Sequence, residues 1–301
     1  MSRFITSTVL AMMVLMPFTS AKKRPFYIIG HMVNSIEEVT HYLDLGANAI
    51  EADIQFHPNG SVKEVNHGFP CDCFRTCTRS ANVGDYLKYI RHITDPSLPG
   101  NYATRMVLQF LDLKMNTSNN PRISGRDIAR HVLDYLWSKD GSREHEVKLL
   151  LYIDSTKYRD AFAGFLEEFK NRREEARLTD VGFDGGTGHF YDIRRMFASL
   201  KVKGNIWQGD GIANCVSPLY STRRLRNALS IRDSKSSFIS KVYHWNIDLK
   251  LQMKNSLNLT VDGMITNVPK SLREVLEEPY YKNKYRLGSL DDDPFARFNE
   301  K

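Results

Sequence analysis

The chain has 301 residues, 42% hydrophobic and 26% charged. That is the balance of a soluble globular protein, with length for one large α/β barrel or two ordinary domains. The net charge of +7 suits an anionic partner such as a phosphate headgroup, a membrane surface or nucleic acid. The chain has no zinc-finger spacing and no RNA-binding signature, which argues against nucleic acid.

Residues 1–21 have the three parts of a secretory signal: Arg3 as basic flank, an apolar run from Val9 to Phe18, and small residues Thr19-Ser20-Ala21. The run is too short to span a membrane, and no later run is long enough. The expectation is a secreted mature chain from about residue 22. Lys22-Lys23-Arg24 offers a second processing site, so that a short basic propeptide would end near residue 24. Asn116-Thr117-Ser118 and Asn258-Leu259-Thr260 are glycosylation sequons.

Phe26 to Gly30 reads as an apolar strand ending at His31, and Ser35-Ile36-Glu37-Glu38 has the capping-box pattern that opens a helix. The next strand, from Ala49, carries Glu51 and Asp53 two positions apart. Both carboxylates therefore share one face, while Ile50, Ala52 and Ile54 take the other. Val62 to Val65 reads as an extra strand before His67, Gly68 and Pro70. Cys71, Cys73 and Cys77 tie down the loop that follows.

Four cysteines in a secreted chain imply two disulfides. Cys71 and Cys73 are too close to pair without strain. One bridge therefore closes a local loop to Cys77 and the other reaches Cys215, and the residues leave open which of the two makes the long bridge. Asn82 caps a helix to about His92, and Pro96, Pro99 and Gly100 interrupt the chain.

Arg105 to Leu111 is a buried-type strand leading into Asp112-Leu113-Lys114, where Asp112 and Lys114 again share a face. A helix from Ser124 to Trp137 follows, then a strand from Val147 to Ile153 and a helix from about Lys157 to Glu175. Later strands are expected near Asp180–Phe183, Gly204–Gln208, Ser240–Asn246 and Gly263–Asn267, with helices between them and a last helix after Pro269.

Leaving aside the Val62 piece, these are eight strands, each followed by a helix or a long loop. The pattern implies a single-domain (β/α)8 TIM barrel over residues 22–301. His31, Glu51, Asp53, Asp112, Lys114, Asp210 and Asn267 lie at or near strand carboxyl ends, which in a barrel converge on one mouth.

Glu51, Asp53 and Asp112 supply only oxygen ligands, a set for one hard cation, Mg²⁺, completed by water and a substrate phosphate. His31 and His67 are candidate acid/base partners, and Lys114 can stabilise phosphoryl charge. Tyr243 and Trp245 share a strand face with Asp248 just beyond, an arrangement able to hold a quaternary ammonium.

The runs IIGHMVN (28–34), GANAIEADIQF (46–56), HGFPCDCFRTC (67–77), LDLK (111–114), IWQGDGIANC (206–215), KVYHWNID (241–248) and DGMITNVP (262–269) resemble the arachnid phospholipase D toxins. This is the sphingomyelinase D or dermonecrotic-toxin family, distantly similar to glycerophosphodiester phosphodiesterases. The resemblance runs from about Arg24 through the DDDPFARF tail, and the HGxPCDCxRxC run is its most specific part.

It implies Mg²⁺ on Glu51, Asp53 and Asp112, His31 and His67 as the acid/base pair, and Lys114, Tyr243, Trp245, Asp248 and Asn267 lining the substrate site. It also implies the pairings Cys71–Cys77 and Cys73–Cys215. The implied enzyme is a secreted monomer, without a membrane span, working on phospholipid or lysophospholipid at a membrane surface. It would release choline or ethanolamine when the substrate's own hydroxyl attacks phosphorus, leaving a cyclic phosphate. His244, where relatives carry a second tyrosine, and Gly209, where they carry serine, are expected near the headgroup. The competing readings are a secreted phosphodiesterase for soluble glycerophosphodiesters and a catalytically silent barrel that binds.

Overall fold

The computed structural model describes residues 22–137 and 146–298. The signal peptide expected over residues 1–21 lies outside the described residues.

Ten strands follow in order: β1 (Arg24–Gly30), β2 (Ala49–Phe56), β3 (Val62–Val65), β4 (Leu108–Leu113), β5 (Lys148–Tyr152), β6 (Val181–Asp184), β7 (Trp207–Gly211), β8 (Lys241–Trp245), β9 (Gly263–Thr266) and β10 (Tyr285–Leu287). Eight of them form a parallel array in the order β6-β5-β4-β2-β1-β9-β8-β7. Its two ends meet in a single parallel bridge, Phe183 to Ile206. The sheet thereby rounds into the expected (β/α)8 barrel, with helices outside. β10, which the sequence reading missed, adds to β1 below the mouth; three residues are too few to show a strand period.

Alternation along each strand sorts the side chains into two layers. Outward residues such as Ile28, Ile50, Leu111 and Leu149 pack against the helices, while Tyr27, Ile29, Ala49, Phe110, Leu150 and Trp207 fill the barrel interior. The lower end is closed by the tail. Phe295 joins the interior cluster, and Trp207 Nε1 donates to the Pro294 carbonyl at 2.9 Å.

Two caps differ in kind. Asn82 accepts from Asp85 N as a side-chain cap. Ser35 stands at the cap position but makes no side-chain cap bond; its hydroxyl lies 3.5 Å from Glu38 Oε2 instead. Of the strand-end residues expected at the mouth, Asp210 is placed elsewhere. Gly209 and Gly211 flank it on β7 and their positions face inward, so its buried carboxylate points to the helix layer, toward Arg224 at 3.5 Å and Tyr220.

Candidate active site

Register assembles the acidic cluster. β2 and β4 pair in parallel with Asp53 opposite Asp112, so two strand-end carboxylates face each other across one ladder step. Glu51 lies one inward position below. Ligand oxygens of Glu51, Asp53 and Asp112 fall within 4.8 Å of one another. Glu51 Oε2 accepts from Met32 N at 2.7 Å, and Asp53 Oδ2 accepts from Asn34 Nδ2 at 2.7 Å. Lys114 Nζ lies 2.8 Å from both Asp53 and Asp112.

One ammonium against two buried carboxylates and a third, half-buried one is short of positive charge. Burial pushes the Glu51 carboxyl well above its usual range, and Asp53 and Asp112 push it further. Burial also opposes the charge on Lys114, but the three carboxylates outweigh it and hold that amine well above its ordinary value. A donor set of oxygens only, already short of cations, fits a hard divalent ion.

His31 is buried at the end of β1. Its Nδ1 sits 3.0 Å from Asn267 Oδ1 and 3.7 Å from Asp72. Asn267 is itself fixed, because its backbone N–H and its Nδ2 each donate to Asp248 at 2.8 Å. With the amide nitrogen committed to Asp248, its oxygen faces the imidazole, so His31 Nδ1 carries the proton and Nε2 is the free nitrogen. Burial pulls the His31 pKa below its ordinary value, with Asp72 and Asp53 acting against that.

β3 pairs antiparallel with β2, and Asn66 N donates to the Asp53 carbonyl at 2.9 Å, so His67 emerges directly over the acidic cluster. The His67 Nδ1 lies 3.0 Å from the Gly68 carbonyl, which again leaves Nε2 free. Behind it the loop is stapled by Cys71–Cys77 and by Cys73–Cys215, the latter spanning 142 residues. Arg75 donates to the Met32 carbonyl and to Asn267 Oδ1, and it is also hydrogen-bonded to the Tyr42 hydroxyl.

The mouth is a pocket of about 500 Å³, and both histidines, the three carboxylates, Lys114, Tyr243 and Trp245 line it. Asp248 and Asn267 are not among the residues lining this pocket; Asn267 is bonded to His31, and Asp248 holds Asn267.

His244 is also displaced from expectation. It alternates with Tyr243 and Trp245, faces the helix Lys250–Asn258, and sits 2.8 Å from Ser256 Oγ. Gly209 does face inward. A Cβ there would come within 2.4 Å of Tyr243 Cζ, so its small size lets the Tyr243 ring lie against β7.

Several lining residues escaped the sequence reading. Tyr152 and Asp154 close β5, and Asp72 and Asn246 meet across the mouth in a 2.8 Å bond. Strand-end position was the available signal for Tyr152 and Asp154; Asp72 had none beyond its place among the cysteines. Asp184, fully buried at the end of β6, accepts from the N–H groups of Gly186 and Gly209 and is hydrogen-bonded to the Tyr243 hydroxyl. Burial pushes its pKa up to about 7. Among the described residues no helix is long and apolar enough to cross a membrane.

The family model for dermonecrotic toxin SPH matches residues 21–295. A dermonecrotic toxin of Loxosceles cf. spinulosa is 38% identical over 275 residues, covering 90% of this chain and 99% of that protein. Dermonecrotic toxin SPH of Ixodes scapularis is 38% identical over 286 residues, covering 93% and 78%. Among solved structures, a putative glycerophosphoryl diester phosphodiesterase of Silicibacter pomeroyi superposes with TM-score 0.54 at 12% identity, over 85% of this chain and 95% of that one. A putative glycerophosphodiester phosphodiesterase of Galdieria sulphuraria gives 0.52 at 15%, over 86% and 100%. At these identities the structural likeness speaks to the fold alone.

Proposed function

The chain belongs to the dermonecrotic toxin SPH family, and from that membership we propose a secreted, Mg²⁺-dependent phospholipase D that removes choline or ethanolamine from sphingomyelin and lysophospholipids. The observation that carries the reading is the sharing of one pocket by two histidines, His31 and His67, and the carboxylates Glu51, Asp53 and Asp112. The mature protein on this reading is one monomeric barrel domain from about residue 22, behind a signal peptide.

Glu51, Asp53 and Asp112 would hold one Mg²⁺, which when bound supplies positive charge to the phosphoryl oxygens. Lys114 adds a second cation at the same edge of the pocket. The lipid's own hydroxyl attacks phosphorus, and one imidazole takes its proton at Nε2. The bond from phosphorus to the headgroup oxygen breaks, and the other imidazole, protonated, gives its proton to the departing alcohol. The products are the free headgroup alcohol and a cyclic phosphate. The Asn267 and Gly68 oxygens hold the two rings with Nε2 toward the pocket. Trp245, with Tyr243 beneath it, offers aromatic surface to a cationic headgroup.

Phosphorus NMR of products from a lipid panel tests this. Expected is a cyclic phosphate with release of the headgroup from sphingomyelin or a lysophospholipid. Turnover confined to soluble glycerophosphodiesters, giving an open monoester, would replace the reading with the simpler phosphodiesterase.

A further inference from the structure

Away from the mouth the described fold holds a second cavity, of about 270 Å³, lined by Asn258, Thr260, Tyr280, Tyr281, Lys284 and Tyr285. Register places it. Tyr285 pairs with Arg24, the first residue of β1, and its hydroxyl donates to the Leu257 carbonyl at 2.6 Å. In a (β/α)8 barrel the strand amino ends share a face with the helix carboxyl ends, opposite the loops that build the active site.

Asn258 is the last residue of the helix Lys250–Asn258 and is exposed. It heads the sequon Asn258-Leu259-Thr260. Leu259 caps the helix, and Thr260 turns the chain away with a φ of 64°. The Tyr281 hydroxyl lies 3.4 Å from Asn258 Oδ1, so the oxygen side of the amide faces the tyrosines. No described residue accepts from Asn258 Nδ2, the atom to which an N-linked sugar is joined.

The surroundings suit a saccharide. Tyr280 is 57% exposed. Lys284 Nζ donates to its hydroxyl at 2.6 Å and lies 3.9 Å from its ring centroid. Aromatic side chains offer apolar surface to the C–H face of a sugar ring, and the hydroxyl and ammonium groups beside them can meet its oxygens. The cavity is at the small end of ligand pockets, which matches one sugar held by its own covalent link better than a free oligosaccharide.

The other sequon is placed differently. Asn116 lines the catalytic pocket, in the turn Met115–Thr117 directly after Lys114. Ser118 is buried, and its hydroxyl is bonded to that of Ser124 at 2.8 Å. A glycan on Asn116 would overhang the acidic cluster; one on Asn258 leaves the mouth open.

We propose that Asn258 carries an N-linked glycan whose first sugar rests in the tyrosine-lined cavity. Transfer precedes folding and uses a lipid-linked oligosaccharide pyrophosphate as donor. Nδ2 bonds to the anomeric carbon, and that carbon's bond to the pyrophosphate oxygen breaks. The lipid pyrophosphate leaves with the electron pair, and Nδ2 gives up one proton to a base of the transferring enzyme. The proposal rests on the secretion part of the reading above, because that donor is met on the secretory route.

Secretion of the full chain from insect cells is the test. Protein from the medium should carry one glycan. Peptide N-glycosidase in heavy-oxygen water should release it and leave the label at residue 258 in peptide maps. Asn258→Gln should be secreted bare, and Asn116→Gln should keep the glycan. Trimmed to the single linked sugar, the glycoprotein should melt about 2 °C or more above Asn258→Gln. Tyr280→Ser should narrow that gap, lowering the trimmed glycoprotein more than Asn258→Gln; a merely structural Tyr280 would lower both equally.

Bare protein in the medium, or a glycan on Asn116 alone, overturns the proposal. Equal Tyr280→Ser losses with and without the sugar overturn its seat in the cavity. If the chain stays in the cell, residues 1–21 are exchanged for a signal peptide of proven efficiency and the mapping is repeated. Label at residue 258 then sinks the secretion reading and leaves the glycan site intact, whereas secreted protein without label overturns the site.

Discussion

Asn267 and His31 stand 236 residues apart and meet through a 3.0 Å contact between the amide oxygen and the imidazole Nδ1. The amide cannot turn over without losing its bond to Asp248. Asp248 also accepts from Thr266 Oγ1 and Asn214 Nδ2, and these contacts keep it below the ordinary carboxylate range even though burial opposes ionisation. An ionised carboxylate at the base of this relay sets which nitrogen of His31 is basic.

Asp248→Asn should therefore lower kcat by at least about tenfold, in the range seen for removing an orienting partner, with little change in KM. The proton population on His31 Nδ1, read by nitrogen-15 NMR, should shift with it. A raised KM at unchanged kcat would instead place Asp248 against the headgroup.

His31→Asn and His67→Asn should each cost about 10²–10⁴-fold in turnover, the usual worth of acid or base assistance. Because the two act on one transfer, the double variant should lose little more than either single one. Melting temperatures should stay at wild type. A His67→Asn protein keeping more than about a tenth of its turnover would demote His67 to a loop-positioning residue.

Magnesium should raise the melting temperature as well as activity. At a concentration of about 100 times Kd, linkage stabilises the fold by about 2.7 kcal/mol. Asp53→Asn should abolish that stabilisation while the apo barrel still melts cooperatively. Equal thermal stability with and without Mg²⁺ in the wild type, together with full activity in excess EDTA, would remove the metal from the site.

His244 gives a pH signature away from the pocket. Burial pulls its pKa from 6.5 down to about 4, so the folded protein holds it neutral while the unfolded chain protonates it more readily. Its contribution is present above pH 6.5 and is lost progressively as pH falls toward about 4. The whole loss amounts to about 3 kcal/mol. His244→Gln should flatten the stability curve across that window in denaturant titrations. An unchanged slope would show that the ring is solvated in the folded protein.

What was legible in the sequence was local. Strand alternation alone put Glu51 and Asp53 on one face, and Asp112 with Lys114 on another. The count of eight strand-and-helix units led to the barrel, and the HGxPCDCxRxC run led to the family. These signals survive because a period of two or a short loop motif is written within a few neighbouring residues.

Only the tertiary structure decided how distant segments meet. Parallel register set Asp53 opposite Asp112. Barrel closure brought Asn267 to His31 and Asp248 to Asn267. Two glycines that face inward on β7 turned Asp210 outward to Arg224, and the same alternation sent His244 to Ser256. Whether a side chain at a strand end faces the mouth or the helix layer depends on the register of its own strand within the closed sheet. One residue's difference reverses the face, and that register is fixed by contacts spanning the whole chain.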